Sequence, residues 1–359
     1  MKLSNIIILS MIAFPFSVYL AYNLFPSQKS YETDNVGTTI LFSGITHHIV
    51  PATGKPVPVR NVFEWTLNNN YSTQITTSPT DKNFDNTGAR FNRDKSKLVF
   101  DSMRDREDNG GYSEIYAMER NGSNQIGITT HTGIEEWEGD WCEPVINNIQ
   151  KNWVYFSQLK DLSPNSYRIS RWDDDLNIIE DILVGASDHD TPECSPDNTK
   201  LAYVRSFRPS QIFVSDLKGQ MVQSLSPVSE DCIEPKWSPD SSKIIHTCYE
   251  RIDTGGSNFI IVSSLHLMDG IDLDNDGIGD NRIKIDISAF ENTGDTYKYS
   301  VPHWSPDGKY IAFNRDLSSN IGNETGTYHI LEWDGSNILG IEDIDPNIIP
   351  AGSFISDWK

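Results

Sequence analysis

An aspartate-rich segment carries the clearest chemistry in the sequence. Residues 271–281 read IDLDNDGIGDN, so three aspartates alternate along the chain, Gly277 follows them, and a fourth aspartate comes soon after. This D-x-D-x-D-G-x-x-D pattern is typical of calcium loops, because a hard cation needs several oxygen ligands at about 2.4 Å and the glycine allows a sharp bend. The predicted ligands of one structural Ca²⁺ are the side chains of Asp272, Asp274, Asp276 and Asp280 and the backbone carbonyl of Ile278.

The predicted calcium loop differs from an EF-hand. Its twelfth position is Ile283 instead of a bidentate glutamate, and no helical pattern flanks it. It resembles the aspartate-rich loops of thrombospondin-type repeats, with Asp269 or Asp286 as further ligands. The alternative is a solvated acidic hairpin tip in an acidic protein. Crowded carboxylates repel one another without a cation, so the pattern favours calcium.

Further carboxylates gather in three segments that each precede an apolar, strand-like run. The members that could act together are Glu138, Asp140, Asp190, Glu193, Asp231 and Glu234. If the fold brings these segments around one axis, the carboxylates form a ring that attracts a cation or a basic peptide. The alternative is a set of solvated loop carboxylates and turn formers.

Histidines offer a second set of possible ligands or bases. His131 and His189 occupy corresponding segments, and His303 directly precedes Trp304. Convergence of these three side chains would suit a metal-dependent enzyme, whereas separate, structurally satisfied histidines are the alternative. The sequence contains no G-x-S-x-G elbow and no glycine-rich phosphate loop, which excludes those serine hydrolase and nucleotide-binding motifs.

Four cysteines suggest disulfides, because an export signal is present and disulfides persist in oxidising compartments. Cys232 and Cys248 flank one predicted hairpin, and Cys142 and Cys194 occupy matching positions of consecutive repeats. These positions favour the pairs 232–248 and 142–194, and four buried free thiols are the alternative. No CxxC or cysteine–histidine spacing indicates zinc.

A repeated sequence phrase, or motif, predicts the strands that position all of these groups. It reads CSPDNTKLAY at 194–203, WSPDSSKIIH at 237–246 and WSPDGKYIAF at 304–313, with a weaker copy, FNRDKSKLVF, at 91–100. Each copy predicts a β-hairpin with a Ser-Pro-Asp turn, and further alternating runs and Asp-Gly or Asn-Gly turns extend it to four strands. A four-stranded unit repeated at this length is a propeller blade.

Six anchor residues begin the copies and predict six blades. They are Phe91, Cys142, Cys194, Trp237, Trp304 and Trp358. The longest interval, between Trp237 and Trp304, contains the aspartate-rich loop, which is predicted to be an insertion at about 269–282 in the fifth blade. The last anchor begins a blade that residues 38–79 complete with strands two to four. The prediction is an all-β, six-bladed propeller closed by pairing of the C-terminal strand with N-terminal strands.

The phrase P-x-W-S-P-D-G-K-x-I-A-F, followed by a run such as SEIYAMERNGSN at 113–124, resembles the TolB-type, WD40-like Pro-Asp repeat. The resemblance covers roughly residues 37–359 and implies a six-bladed propeller in the cell envelope. The resemblance does not extend to the small α/β domain that precedes the propeller in TolB, so it does not imply the Tol-Pal role. A histidine-bearing propeller face would also resemble the metal-dependent oligogalacturonate lyases, which share this type of repeat.

The N-terminus predicts export. Lys2 precedes an almost uncharged apolar run from Ile6 to Phe25, which is typical of a signal peptide or an N-terminal membrane anchor over residues 1–25. Residues 26–36 form a predicted linker, and the propeller occupies 37–359. A net charge of −22 and a pI near 4.6 argue against nucleic acid and anionic membranes as main partners.

Together these features predict a monomeric, exported binding or scaffolding module in the periplasm, or anchored facing it, with a structural Ca²⁺. Its partner would be an envelope protein or basic peptide, or a polysaccharide, and the membrane would be contacted only through the N-terminal segment. The alternative is a metal-dependent carbohydrate-active enzyme that uses the channel face. The fold alone does not decide between them, since propellers carry both kinds of function.

Overall fold

A computed structural model describes residues 39–49, 56–67, 69–77, 84–105, 112–129, 134–159, 167–184, 188–206, 209–255, 258–291, 295–318 and 326–359. The predicted signal or anchor and the linker lie outside these ranges, as does His131. Within them, no helix has the length and apolarity that a membrane span requires.

Six four-stranded antiparallel sheets form the blades of a propeller, as the repeats predict. Blade 1 contains β26 (Phe354–Trp358), β1 (Thr39–Ile49), β2 (Pro56–Thr66) and β3 (Thr73–Gln74). Blade 2 contains β4 (Asn86–Phe91), β5 (Lys97–Ser102), β6 (Glu114–Glu119) and β7 (Ile126–Gly127). Blade 3 contains β8 (Glu135–Cys142), β11 (Trp153–Leu159), β12 (Tyr167–Asp173) and β13 (Ile178–Leu183), and a small hairpin of β9 (Val145–Ile146) and β10 (Ile149–Gln150) sits between β8 and β11.

The other three blades follow the same order from the axis outward. Blade 4 contains β14 (His189–Cys194), β15 (Lys200–Arg205), β16 (Gln211–Asp216) and β17 (Gln223–Ser224). Blade 5 contains β18 (Asp231–Trp237), β19 (Lys243–Gly255), β20 (Asn258–Asp269) and β21 (Ile283–Lys284), followed by a 3₁₀ turn at Ser288–Phe290. Blade 6 contains β22 (Tyr297–Trp304), β23 (Tyr310–Leu317), β24 (Thr327–Trp333) and β25 (Ile338–Asp343).

The ring closes in blade 1, where the C-terminal strand is the innermost strand. β26 pairs antiparallel with β1, and Ile40 lies opposite Trp358. Two backbone hydrogen bonds between Thr39 and Lys359, of 2.6 and 2.9 Å, extend the pairing to the last residue. The predicted closure is therefore confirmed, and the innermost strands of all six blades contact their neighbours around the axis.

The Ser-Pro-Asp phrase forms the turn between the first and second strands of a blade. In blade 6, Ser305 Oγ donates to Asp307 Oδ1 at 2.7 Å and accepts the amide of Tyr310 at 2.9 Å. Gly308 occupies the left-handed region at φ 71°, which explains the glycine after the aspartate. Blades 4 and 5 repeat the arrangement around Ser195 and Ser238. These side-chain hydrogen bonds lie within the turn itself and do not depend on a larger core. The same motif can therefore recur in several blades.

Apolar clusters lie between blades and not within them. Each cluster combines residues of two successive blades: Leu41 and Val62 of blade 1 pack with Phe91 and Phe100 of blade 2, for example. The same holds for blades 2 and 3, 3 and 4, 4 and 5, and 5 and 6. Since alternate side chains of a strand point to opposite faces, blades 2 to 5 each contribute to two of these clusters.

Because successive strands of a blade run antiparallel, each end of the propeller carries its own set of turns and connections. The turns between strands one and two and between strands three and four share one end, called the turn face. The hairpins between strands two and three, and the connections between blades, share the opposite end, called the link face. The aspartate-rich loop joins β20 to β21 and therefore belongs to the turn face.

Blade 5 is longer than the sequence interpretation suggests, for two reasons. The aspartate-rich loop does lie between its third and fourth strands, but β19 and β20 are also 13 and 12 residues long. The corresponding pair in blade 4, β15 and β16, has six residues in each strand. The long hairpin extends blade 5 on the link face, so the insertion alone does not account for the interval.

We expect the closing strand to depend on Asp357. Its Oδ2 accepts the buried amide of Phe91 at 2.8 Å and so joins blade 1 to blade 2. Asp357→Ala leaves that amide unpaired and should lower the free energy of unfolding by about 1–3 kcal/mol. Urea unfolding measures this. Asp357→Asn keeps an oxygen acceptor and should cost less; equal costs for the two variants would contradict the role of this hydrogen bond.

Candidate functional site

A bulge in every innermost strand directs one side chain toward the axis. The pairing of first and second strands shifts register in all six blades. The first paired residue after each shift faces the central channel, and these six residues are called the channel ring. They are Arg90, Asp140, Glu193, Lys236, His303 and Asp357, all of which line the same cavity.

The centre of the channel ring is a carboxylate between two cations. Glu193 Oε2 accepts from Arg90 Nη1 at 2.8 Å and from Lys236 Nζ at 2.7 Å. Burial alone would raise the pKa of Glu193, but Lys236 and Arg90 lower it to about 2. Burial disfavours the charged form of Arg90, yet the charges of Glu193 and Asp140 raise its pKa. Glu193 and Arg90 therefore stay charged although they are buried.

Two further ring carboxylates join neighbouring blades. Asp140 Oδ2 accepts the amide of Cys194 at 2.8 Å, and Asp357 makes the equivalent bond to Phe91. Burial and the charge of Glu193 raise the pKa of Asp140 to about 6, against the opposing effect of Arg90. These carboxylates hold backbone amides and are not directed at solvent.

His303 completes the ring as a neutral imidazole. Its Nδ1 lies 3.1 Å from the carbonyl oxygen of Val301. Burial, followed by the charges of Lys236 and Arg90, lowers the pKa of His303 to about 3. An uncharged ring can lie beside two cations where an imidazolium would be repelled.

The channel ring separates two cavities. A cavity of about 320 Å³ opens on the turn face, and its rim, called the turn mouth, contains Arg93, Lys95, Glu143, Pro196, Asn198, Pro239, Pro306 and Lys359. The indoles of Trp141, Trp237, Trp304 and Trp358 also line it. The second cavity, of about 380 Å³, lies on the link-face side and is lined by Asp101, Glu138 and Glu234 together with Arg90, Lys236 and His303.

The link-face cavity holds carboxyl groups that resist ionisation. Burial, followed by the charge of Asp190, raises the pKa of Glu138 to about 8. Burial also raises the pKa of Asp101 to about 7, against hydrogen bonds from the amides of Glu138 and Gly139. Glu234 accepts the Val301 amide at 2.6 Å and the Thr247 hydroxyl at 2.9 Å.

The predicted acidic ring is wrong as a single structure. Asp140 and Glu193 belong to the channel ring, whereas Glu138 and Glu234 line the link-face cavity. Asp190 accepts from the indole of Trp137 at 2.9 Å, and Asp231 accepts the Ser210 amide at 2.8 Å. Neither of these two lines a channel cavity, because both hold local loops.

The sequence interpretation missed the cations Arg90 and Lys236. Both immediately precede an anchor residue, as Glu193, His303 and Asp357 do, so the register of the repeat contains the information. Blade 3 follows the same rule once its anchor is corrected: the pairing puts Trp141, directly after Asp140, at the position of Trp237, so the predicted anchor Cys142 is one residue too late. The six residues of the channel ring are recognised only when the blades are aligned at the bulge of their innermost strands.

The histidine site is not assembled by the described residues. His303 lies in the channel ring, while His189 packs on Tyr203 with ring centroids 5.6 Å apart and lines neither cavity. His131, the third member, lies outside the described residues. The predicted convergence of all three therefore stays untested.

The aspartate-rich loop brings three predicted ligands together. One oxygen each from Asp272, Asp274 and Asp276 lies within 4.8 Å of the others. Gly277 has φ 86° and donates its amide to Asp272 at 2.8 Å, which bends the chain around the carboxylates. The amide of Asp276 favours the ionised form of Asp274, but the charges of Asp276 and Asp272 leave the pKa of Asp274 raised. Such crowding is what a cation would relieve.

The other predicted ligands make different contacts. Asp280 Oδ2 lies 3.3 Å from the amide of Leu273, and Ile278 donates its amide to Asp276 at 2.8 Å. Asp269 pairs with Lys243 at 2.6 Å, and Asp286 accepts the amide of Ser288 at 3.0 Å. The last two side chains are engaged outside the loop, so we do not retain them as calcium ligands.

The cysteines form two disulfides, Cys142–Cys194 and Cys232–Cys248, as the repeat positions favour. The first joins the ends of the innermost strands of blades 3 and 4. The second joins β18 to β19 within blade 5, where the two residues are direct partners.

Comparisons with solved structures agree with this architecture. TolB from Acinetobacter baumannii aligns with a TM-score of 0.54 at 14% identity, covering 89% of this chain and 67% of that one. Hydrazine synthase from Kuenenia stuttgartiensis aligns with a TM-score of 0.59 at 14% identity, covering 91% of this chain and 48% of that one. Neither a protein-family model nor a curated protein sequence matches the chain. At these identities the comparisons show the fold, a TolB-like six-bladed propeller.

We expect the channel ring to require its central carboxylate. Glu193→Gln removes the only charge that pairs directly with both Arg90 and Lys236 among the described ion pairs, and should lower the free energy of unfolding by about 3–5 kcal/mol. Urea unfolding compares this variant with Glu180→Gln, which removes the exposed ion pair between Glu180 and Arg171. That control should cost under about 1 kcal/mol. Similar costs for both would show that Glu193 does not hold the axis together.

Proposed function

We propose that this protein is an exported binding or scaffolding module that holds a segment of another cell-envelope protein at the turn mouth. The TolB-like fold, the apolar N-terminal run and the two disulfides support this proposal together. Export and the identity of the partner belong to the proposal, not to the comparisons. Binding is expected to involve one copy of the chain.

The observation that carries the proposal is the shape and composition of the turn mouth. Prolines of three Ser-Pro-Asp turns and the indoles of four blades form apolar walls, and the channel ring closes the floor. Every wall residue sits at the end of a strand or in a short hydrogen-bonded turn. A concave apolar pocket with a few fixed polar groups on a rigid scaffold is typical of ligand sites.

Charge at the turn mouth favours an acidic segment. Arg93 is exposed and Lys95 is half-buried, and neither forms an ion pair with a described carboxylate. Glu143 accepts the backbone amide of Arg93 at 2.7 Å, so this nearby carboxylate is occupied. Burial, followed by the charge of Arg120, lowers the pKa of Lys95. A partner's carboxylate would be attracted to Arg93 and Lys95.

An acidic partner segment replaces the basic peptide that the sequence predicts. That hypothesis depended on a ring of carboxylates at the channel, whereas the channel ring mixes Arg90 and Lys236 with its acids. The alternative of a metal-dependent enzyme depends on histidines that include His131, outside the described residues. No observation in the described part of the chain favours it over binding.

We expect the Arg93→Glu variant to lose its partner. Reversing this rim charge places a carboxylate against the acidic segment, so repulsion replaces attraction and binding should weaken about tenfold. Capture of envelope proteins on the immobilised propeller, followed by titration of the captured protein, measures the effect. The matched control is Arg251→Glu, an exposed arginine on the long blade 5 hairpin of the link face.

The control also decides the binding face. Loss of binding in Arg251→Glu with retention in Arg93→Glu would place the partner on the link face and overturn the proposed site. Turnover of an acidic polysaccharide by the wild-type protein, with no captured protein, would overturn the scaffolding function itself.

We also propose that the aspartate-rich loop binds a structural Ca²⁺. Asp272, Asp274 and Asp276 supply the carboxylates, and Ile278 and Asp280 are the remaining candidate ligands. The loop is anchored on blade 4, because Gly279 donates its amide to Leu225 at 3.0 Å and Gln223 donates to the Asp272 carbonyl at 2.9 Å. A cation here would therefore stabilise the contact between two blades.

Calcium should raise the thermal midpoint of unfolding. A ligand at a hundredfold above its Kd adds about 2.7 kcal/mol, and a chelator should remove this gain. Asp274→Asn keeps an acceptor for the Asp276 amide but loses a charge, so it should need more Ca²⁺ for the same shift. Asp253→Asn, an exposed aspartate on the link face, is the control. A wild-type midpoint that does not respond to Ca²⁺, or equal responses of both variants, would contradict the site.

A further inference from the structure

One face of blade 5 carries an unusual group of buried side chains. Cys232 and Cys248 are direct partners across β18 and β19, and His246 and His266 are direct partners across β19 and β20. Cys248 and His246 are two residues apart, so both side chains lie on the same face of β19. That face packs against blade 4, since Cys232 and Cys248 share a cluster with Ile212.

The two histidines lack the hydrogen bonds that buried rings normally make. His246 is 0% exposed; the backbone of Ile244 approaches its ring, but neither ring nitrogen makes a hydrogen bond of good geometry. His266 lies 2.9 Å from the Ser264 hydroxyl through Nε2, but its Nδ1 has no partner. The rings stack with centroids 5.6 Å apart. Buried polar atoms without partners are rare and call for a reason, such as a ligand that is bound in another state.

Sulfur and nitrogen atoms converge around Cys248. Its Sγ lies within 4.8 Å of Cys232 Sγ and of a ring nitrogen of His246, and these are also within 4.8 Å of each other. A second set of the same size contains Cys248, His266 and Glu230. The two sets share Cys248, so two sulfurs and two imidazoles surround one small region.

We propose that reduction of the Cys232–Cys248 disulfide creates a thiolate–imidazole site for Zn²⁺ or a similar divalent ion. Cys232, Cys248 and His246 would be ligands, and His266 the fourth. A dithiol reductant supplies two electrons, its two thiols become a disulfide, and its two protons pass to the cysteine sulfurs. The metal then displaces these two protons and binds two thiolates.

Local charge suits a metal in the reduced state. Neutral imidazoles offer free lone pairs at neutral pH, which metal binding requires. Two thiolates cancel the charge of a divalent ion, so the group can remain buried.

Neighbouring side chains also prepare the sulfurs. Arg282 lies 3.6 Å from Cys248 Sγ through Nη2 and is held by Glu230, with which it forms an ion pair. A guanidinium beside a sulfur stabilises its thiolate, so Cys248 is the better leaving group when a reductant attacks Cys232. Glu230 is thereby engaged with Arg282, which leaves His266 as the fourth ligand. Tetrahedral coordination by two sulfurs and two nitrogens is the preferred structural geometry of zinc.

Cobalt(II) tests the site, because sulfur-to-cobalt charge transfer and strong visible bands report four-coordinate thiolate binding. The protein is Cys142→Ser/Cys194→Ser, which retains only the blade 5 pair, with wild type measured in parallel. We expect no charge-transfer band in the oxidised protein. After reduction with a phosphine, which competes little for metal, we expect one cobalt per chain and displacement by Zn²⁺.

Histidine variants separate a built site from loose thiols. His246→Asn should weaken cobalt binding by more than about tenfold and change the visible bands, as loss of a ligand does. His329→Asn is the matched control, a buried histidine of blade 6 stacked on Phe313. Circular dichroism of each reduced sample records whether the propeller stays folded.

Three results would overturn the proposal. They are an equal band in the oxidised protein, no band after reduction, and equal behaviour of His246→Asn and His329→Asn. The last would also follow if the reduced chain unfolded and bound cobalt through free thiols. The outcome does not depend on the turn mouth, so failure here leaves the proposed binding function standing.

Discussion

The contact of Glu193 with Arg90 and Lys236 is the constraint on which the centre of this propeller depends. Blades 2, 4 and 5 supply this contact, and a single carboxylate oxygen accepts from both cations. The bulge of each innermost strand directs one side chain to the axis, and five of the six are acidic or basic residues. The ionic contact closes the channel, and the flanking carboxylates hold backbone amides of adjacent blades. The two cavities exist because this layer separates them.

Much of the architecture follows from sequence, because the blades are repeated units. The six anchors predict six blades. The last copy of the repeat is incomplete, which predicts that β26 closes the ring. The pair 232–248 also follows, since these cysteines face each other in one hairpin; the pair 142–194 forms between strand ends of adjacent blades, although Cys142 lies one residue beyond the equivalent of Cys194. Each inference needs only the period of the repeat and the pairing of neighbouring strands.

The chemistry of the channel does not follow so directly. Counting carboxylates near each first strand grouped residues of different layers, because a bulge moves side chains by one position. Asp140 follows the bulge of blade 3 and reaches the ring, whereas Asp190 precedes the bulge of blade 4 and accepts from Trp137 instead. Cys232, His246 and His266 lie together because β18, β19 and β20 pair side by side. The spacing of these residues along the sequence does not predict this group.

Ring closure between Leu41 and Ser356 joins positions 315 residues apart. A contact of such separation forms late, since the loop it closes is almost the whole propeller. β26 follows every other strand of the propeller in the sequence, so blade 1 is an open three-stranded sheet until this strand pairs with β1. The native stability of the propeller then depends on the last few residues to pair.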